Sequence, residues 1–154
     1  MKKFVFTLQS LKEVKETQEK QAKQELAQAE QHVMKLSMQI DSLQQQFKNQ
    51  SDAFHEKLTQ GADAGSLIQF SNFFDFLQKE LDAAQKELEK AKEQRRKCQE
   101  KLIALMKELK MLDNLYQSQY EEYLDELKKE EEKSIGDLVS YQVVSGQEGR
   151  KADD

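Results

Sequence analysis

Residues 59–66 read "TQGADAGS", and the fold turns on whether this stretch breaks a helix. It holds two of the five glycines of a 154-residue chain that has no proline. Gly61 can take the left-handed conformation that ends a helix, which costs other residues a clash at Cβ. Ser66 followed by Gln69 fits a capping box, in which the hydroxyl accepts from the Gln69 N–H and the glutamine side chain reaches back. One helix therefore ends near Leu58 and another begins near Leu67. A link this short makes the two antiparallel.

Apolar residues on both sides of the break recur at alternating spacings of three and four. Before it run Leu26, Ala29, Val33, Leu36, Ile40, Leu43, Phe47, Gln50 and Phe54. After it the series begins at Leu67, Phe70, Phe74, Leu77, Leu81, Ala84 and Leu88. It goes on through Ala91, Arg95, Cys98, Leu102, Leu105, Leu109, Leu112 and Tyr116. A repeat averaging 3.5 residues keeps one stripe turned to a partner helix, so both stretches read as coiled-coil seams. The fold class is all-α: a long two-helix antiparallel coiled-coil hairpin with a short disordered C-terminal tail.

A fold-back centred on Ala62 pairs residues whose numbers sum to 124. Phe54 then meets Phe70, Phe47 meets Leu77, Ile40 meets Ala84, Leu36 meets Leu88 and Leu26 meets Cys98. Arg95 would face Ala29 with Glu30 as its ionic partner, and Cys98 would lie in the core. The first helix slips phase at Gln18, Ala22 and Leu26, a stutter that unwinds the supercoil locally. Leu8 still reaches Tyr116, and Phe4 reaches Tyr120. The expected organisation is helix 1 over about 5–58, a turn at 59–66 and helix 2 over about 67–140, the hairpin occupying 4–144. Helix 2 overhangs, and "SGQEGRKADD" (145–154) reads as a disordered tail.

Composition limits what such a hairpin does. Charged residues make up 34% of the chain, and the apolar share of 37% is too small for a roomy enzyme core. Residues 86–110 carry nine Lys or Arg against five Glu, and residues 121–154 carry eleven acids against five bases. The acidic end argues against nucleic acid as a partner, and the basic stretch reads as a solvated helix face. One cysteine cannot form an internal disulfide, which suits a reducing cytoplasm. "MKKFVFTL" is too short in apolar residues for a signal peptide, and no run approaches a membrane span, so no direct membrane insertion is expected.

His32 and His55 stand 23 residues apart on one helix, about 35 Å at helical rise, too far to share a metal. No HExxH, CxxC or phosphate-cradling glycine loop occurs. No catalytic, metal or cofactor site is read, and the chain is expected not to be an enzyme.

"FSNFFDF" (70–76) gathers four of the eight phenylalanines. Phe70 and Phe74 are seam positions. Phe73 and Phe76 fall beside the seam, three residues apart on one stripe. Leaving each in water forgoes about 1.5–3 kcal/mol of burial. Two roles are open to that pair: a local cap folded over the turn, or a docking patch near it. At the other end "YQSQYEEYL" sets Tyr116, Tyr120, Tyr123 and Leu124 beside "FVFTLQSL". These are either an aromatic plug or a second contact surface.

Three stretches, "FVFTLQSL", "GADAGSLIQFSNFFDFLQKEL" and "LDNLYQSQYEEYLDELKKEEEKSIGDLV", resemble in order and separation the FliJ proteins of bacterial flagellar type III export. Gly136-Asp137 departs from the Asp-Glu that members often carry. The resemblance implies a cytoplasmic coiled coil, like the central stalk of rotary ATPases, that is peripherally associated with the cell membrane through the export apparatus. It implies as partners a hexameric flagellar export ATPase, the ATPase regulator, the cytoplasmic domain and linker of the export gate, and flagellar substrate chaperones. It places ATPase-ring contacts at the termini end, here Phe4, Phe6, Leu8, Tyr120, Tyr123 and Leu124. Gate contacts lie toward the turn, matching Phe54, Phe73 and Leu77 with Phe76 beside them; Leu77 is also a seam residue. The stalk of a virulence secretion system, or a generic coiled-coil tether, are alternatives with the same architecture.

Overall fold

The computed structural model of the protein describes residues 2–151. Two α-helices account for nearly all of them: α1 (Gln9–Gln60) and α2 (Ala64–Lys151). No proline interrupts either one, and Glu, Lys, Gln, Ala and Leu, all good helix formers, dominate both. Only residues 61–63 separate them. Gly61 sits at φ +91°, the left-handed conformation expected of it just past a helix end.

The start of α2 differs from the capping box anticipated at Ser66. Asp63 is the cap: its Oδ1 accepts from the Ser66 N–H at 3.0 Å, and its carbonyl accepts from the Leu67 N–H at 3.2 Å. A carboxylate in that place satisfies a free N–H and complements the positive end of the helix dipole, which a serine hydroxyl does less well. The turn is accordingly shorter than the eight residues expected. Helical backbone also continues through 145–151, where composition suggested none. Isolated glycines there weaken the ladder without breaking it, and residues 152–154 of the expected tail lie outside the described residues.

The chain divides into two compact units, Thr17–Met106 and the pair of segments Met1–Glu16 with Lys107–Asp154. Thr17–Met106 contains the turn. Each seam position named from the sequence in this unit is buried or half-buried. Ile40, Leu81 and Ala84 form its core, with Leu43 and Leu88 packed against them. The Ile40–Ala84 layer is thus the one expected. Phe54 meets Phe70 at 5.2 Å between ring centroids, also as expected, whereas Phe47 lies against Phe74 at 5.2 Å. Ala22, at the phase slip, is 1% exposed, so the stutter turns a small residue fully inward. Cys98 is buried. Within this unit an ion pair crosses the helices at Lys101–Glu25, 3.2 Å, and the expected Arg95–Glu30 pair does not form; Arg95 lies half-buried at its seam position.

In the other unit, α1 begins at Gln9, later than the expected position near 5, because residues 2–6 leave the helix. In a helix Phe4 and Phe6 would point about 200° apart. An alternating, non-helical backbone turns both to the same side. Phe6 is 5% exposed and Phe4 half-buried, while Val5 between them is 75% exposed. Lys15–Glu108 at 2.6 Å and Lys12–Asp113 at 3.2 Å join the start of α1 to α2.

Candidate docking surfaces

Beside the turn, the four phenylalanines of 70–76 divide as their spacing predicts. Phe70 and Phe74 are half-buried, packed with Phe54 at 5.2 and 5.8 Å. Phe73 and Phe76 are 36% and 56% exposed and lie 6.4 Å apart, their planes inclined by 30°. Leu77, one residue on, is 1% exposed and the largest fully buried side chain in the described chain. Of the four residues proposed for a tip surface, then, Phe73 and Phe76 are presented outward, Phe54 packs beneath, and Leu77 lies inside. The outward pair offers a partner two aromatic faces on a rigid helix. Their polar neighbours are solvated, so an apolar partner would gain most of its contact from these two rings.

The termini end is built around Phe4. Its ring lies 5.3, 5.2 and 5.5 Å from those of Tyr116, Tyr120 and Tyr123, and Phe6 meets Tyr116 at 5.3 Å. The first three tyrosines of α2 recur at four and three residues, so they form one ridge that a strap of alternating residues can cross. Two polar ties hold the strap. Tyr123 donates its hydroxyl to the Lys2 carbonyl at 2.9 Å, and Thr7 and Gln119 pair at 3.3–3.4 Å. Lys12 Nζ stands 5.4 Å over the Tyr116 ring while paired with Asp113. Leu8 is half-buried, and Tyr120 and Leu124 keep 38% and 42% of their surface in solvent. The cluster therefore is a plug with an exposed outer side.

The basic stretch 86–110 is partly neutralised by its own glutamates along α2. Lys90 pairs with Glu87, Lys92 with Glu89, and Arg96 with both Glu93 and Glu100. The hydrogen bond from Arg96 holds Glu93 below the usual carboxylate range, and the two carboxylates push the Arg96 guanidinium further up. Among the described residues no group of three His, Cys, Asp or Glu could hold a metal ion, and no helix is long and apolar enough to cross a membrane.

Sequence reasoning passed over one surface. Ile135, Leu138, Val139, Tyr141, Val143 and Val144 are each more than half exposed on α2. They belong to no 3–4 seam, so periodicity is silent on them. The signal available was their density, six large apolar residues in ten positions of an otherwise polar helix.

Two helices folded back at residues 61–63, with an outward aromatic pair by the turn and an aromatic strap against the tyrosines of α2, define a coiled-coil hairpin protein. The chain agrees with the family model described as "Flagellar FliJ protein" over residues 4–148, nearly its whole length. It belongs to the FliJ family, and so is a component of flagellar type III export. No curated protein and no solved structure matches it.

Proposed function

We propose that this FliJ-family chain acts as a non-catalytic stalk that engages the ring of a hexameric export ATPase and contacts the membrane export gate. The observation that carries the reading is the mismatch of the helices. α2 has 88 residues against 52 in α1, and every residue from 128 to 149 is exposed. A helix end left without a neighbour is suited to a partner that surrounds it. The outer side of the Phe4 cluster, with Phe6, Leu8, Tyr120, Tyr123 and Leu124, forms the shoulder of that contact. Phe73 and Phe76 supply the gate contact, beside the seam that holds Phe54 and Leu77. Substrate chaperones and the ATPase regulator are further partners, at the cytoplasmic face of the membrane. A stalk favours particular nucleotide states in successive ring subunits only by binding those states unequally.

Two measurements test the reading. Added to purified export ATPase, the full chain raises ATP hydrolysis; an unchanged rate sinks the stalk role and leaves a generic tether. In a strain lacking the gene, the wild-type copy restores filaments and Phe73→Ala/Phe76→Ala leaves cells bald although the purified variant is fully helical. Equal restoration by the variant would reduce the two rings to local packing.

A further inference from the structure

Residues 134–151 form a stretch of α2 unlike the rest of the helix. Gly136, Gly146 and Gly149 fall within it, with four β-branched residues and three serines, all weaker helix formers than the Glu- and Lys-rich turns before them. Among the described residues its side chains make one hydrogen bond, Ser145 Oγ to the Gln142 carbonyl, a local bond of the kind that competes with helix. The last described contact across to the start of the chain lies at Tyr123 with Lys2. With no contact to another element among the described residues, this segment is held helical only by continuity with the turns before it, and its composition makes that hold weak.

Its apolar side chains point to what would hold it. At 100° per residue, Ile135, Leu138, Val139, Tyr141, Val143 and Val144 leave no sector wider than about 100° free of one. A helix apolar on all sides is built for burial, not for one flat surface. The preceding turns, 121–133, carry seven acids against three lysines and are exposed except at Tyr123 and Leu127, which are half-buried.

We propose that 134–151 is a fold-on-binding tip: frayed in the free chain, and helical when a protein collar with a basic mouth and an apolar lining closes around it. The inference rests on the stalk reading, with the export ATPase ring as the collar. Folding on binding lowers the apparent affinity by the fraction of chains already helical, so the ring can release the tip readily.

The test is hydrogen exchange on the full chain, alone and with purified hexameric export ATPase. Alone, amides 137–151 exchange about a hundredfold or more faster than those of 80–115. With the ring they slow by about tenfold or more. Strong protection of 137–151 in the free chain overturns the proposal. Protection gained only at 2–16 and 107–127 also overturns it, yet leaves the stalk reading intact; protection gained nowhere overturns both. A second variant works in the opposite direction. Open space surrounds the Cβ positions of Gly136, Gly146 and Gly149, so alanine fits at all three. Gly136→Ala/Gly146→Ala/Gly149→Ala raises free helicity and tightens ring binding roughly tenfold. Raised helicity with unchanged or weaker affinity refutes the coupling.

Discussion

Gly61 and Asp63 carry the turn, and each fails in its own way. A Cβ at Gly61 would touch nothing within 4 Å, so Gly61→Ala is penalised by backbone conformation alone. The expected loss is about 1–2 kcal/mol, read as a lower urea midpoint with an unchanged slope. Asp63 is held below the usual aspartate range by its hydrogen bonds with Ser66. A depressed folded-state value means stability present above about pH 4 and lost as pH falls through the folded value. Asp63→Asn keeps a capping oxygen and removes the titration, so its acid limb should be flatter than wild type in thermal melts between pH 5 and about pH 2. Adjacent residues 76 and 77 separate packing from docking. Leu77→Ala should cost about 3 kcal/mol, and Phe73→Ala/Phe76→Ala less than half of that by the same denaturation assay.

Pairing of the two helices is fixed by layers that interlock large against small. Ile40 against Ala84 and Leu81 is one such layer, and a shift by one residue would turn the seam toward solvent. Cysteines at Ile40 and Ala84, with Cys98→Ser, should be joined within one chain by a short thiol crosslinker. A product at twice the monomer mass would instead indicate two parallel chains. Exposed ion pairs along α2, such as Arg96 with Glu93, keep the outer face solvated and add little to the pairing. The seam supplies specificity through shape, and the charges supply solubility.

At the scale of the molecule, two aromatic surfaces are separate in the chain and should be separable by mutation. Phe4→Ala removes the ring that three tyrosines contact. It is expected to lower the stimulation of export-ATPase hydrolysis several-fold. Phe73→Ala/Phe76→Ala should leave that stimulation at the wild-type level while abolishing filament assembly. Parallel loss of both readouts in either variant would mean one continuous surface. Flagellar export membership follows from the family match over residues 4–148, and these paired assays test whether the proposed contacts divide between the two surfaces.

The sequence by itself determined the hairpin. A 3–4 apolar repeat is a local property, and so is the left-handed preference of Gly61; neither needs knowledge of what lies across the seam. The same repeat placed Phe70 and Phe74 inward and Phe73 and Phe76 outward. Tertiary structure decided what local pattern leaves degenerate. Asp63 and Ser66 both cap helices, and the carboxylate prevailed where the chain actually turns. Phe4 and Phe6 could have continued a helix, but only a non-helical strap lets both reach Tyr116, and burial of two rings outweighs one lost helical turn. Leu77 was open to both core and surface roles until the packed partner helix closed over it.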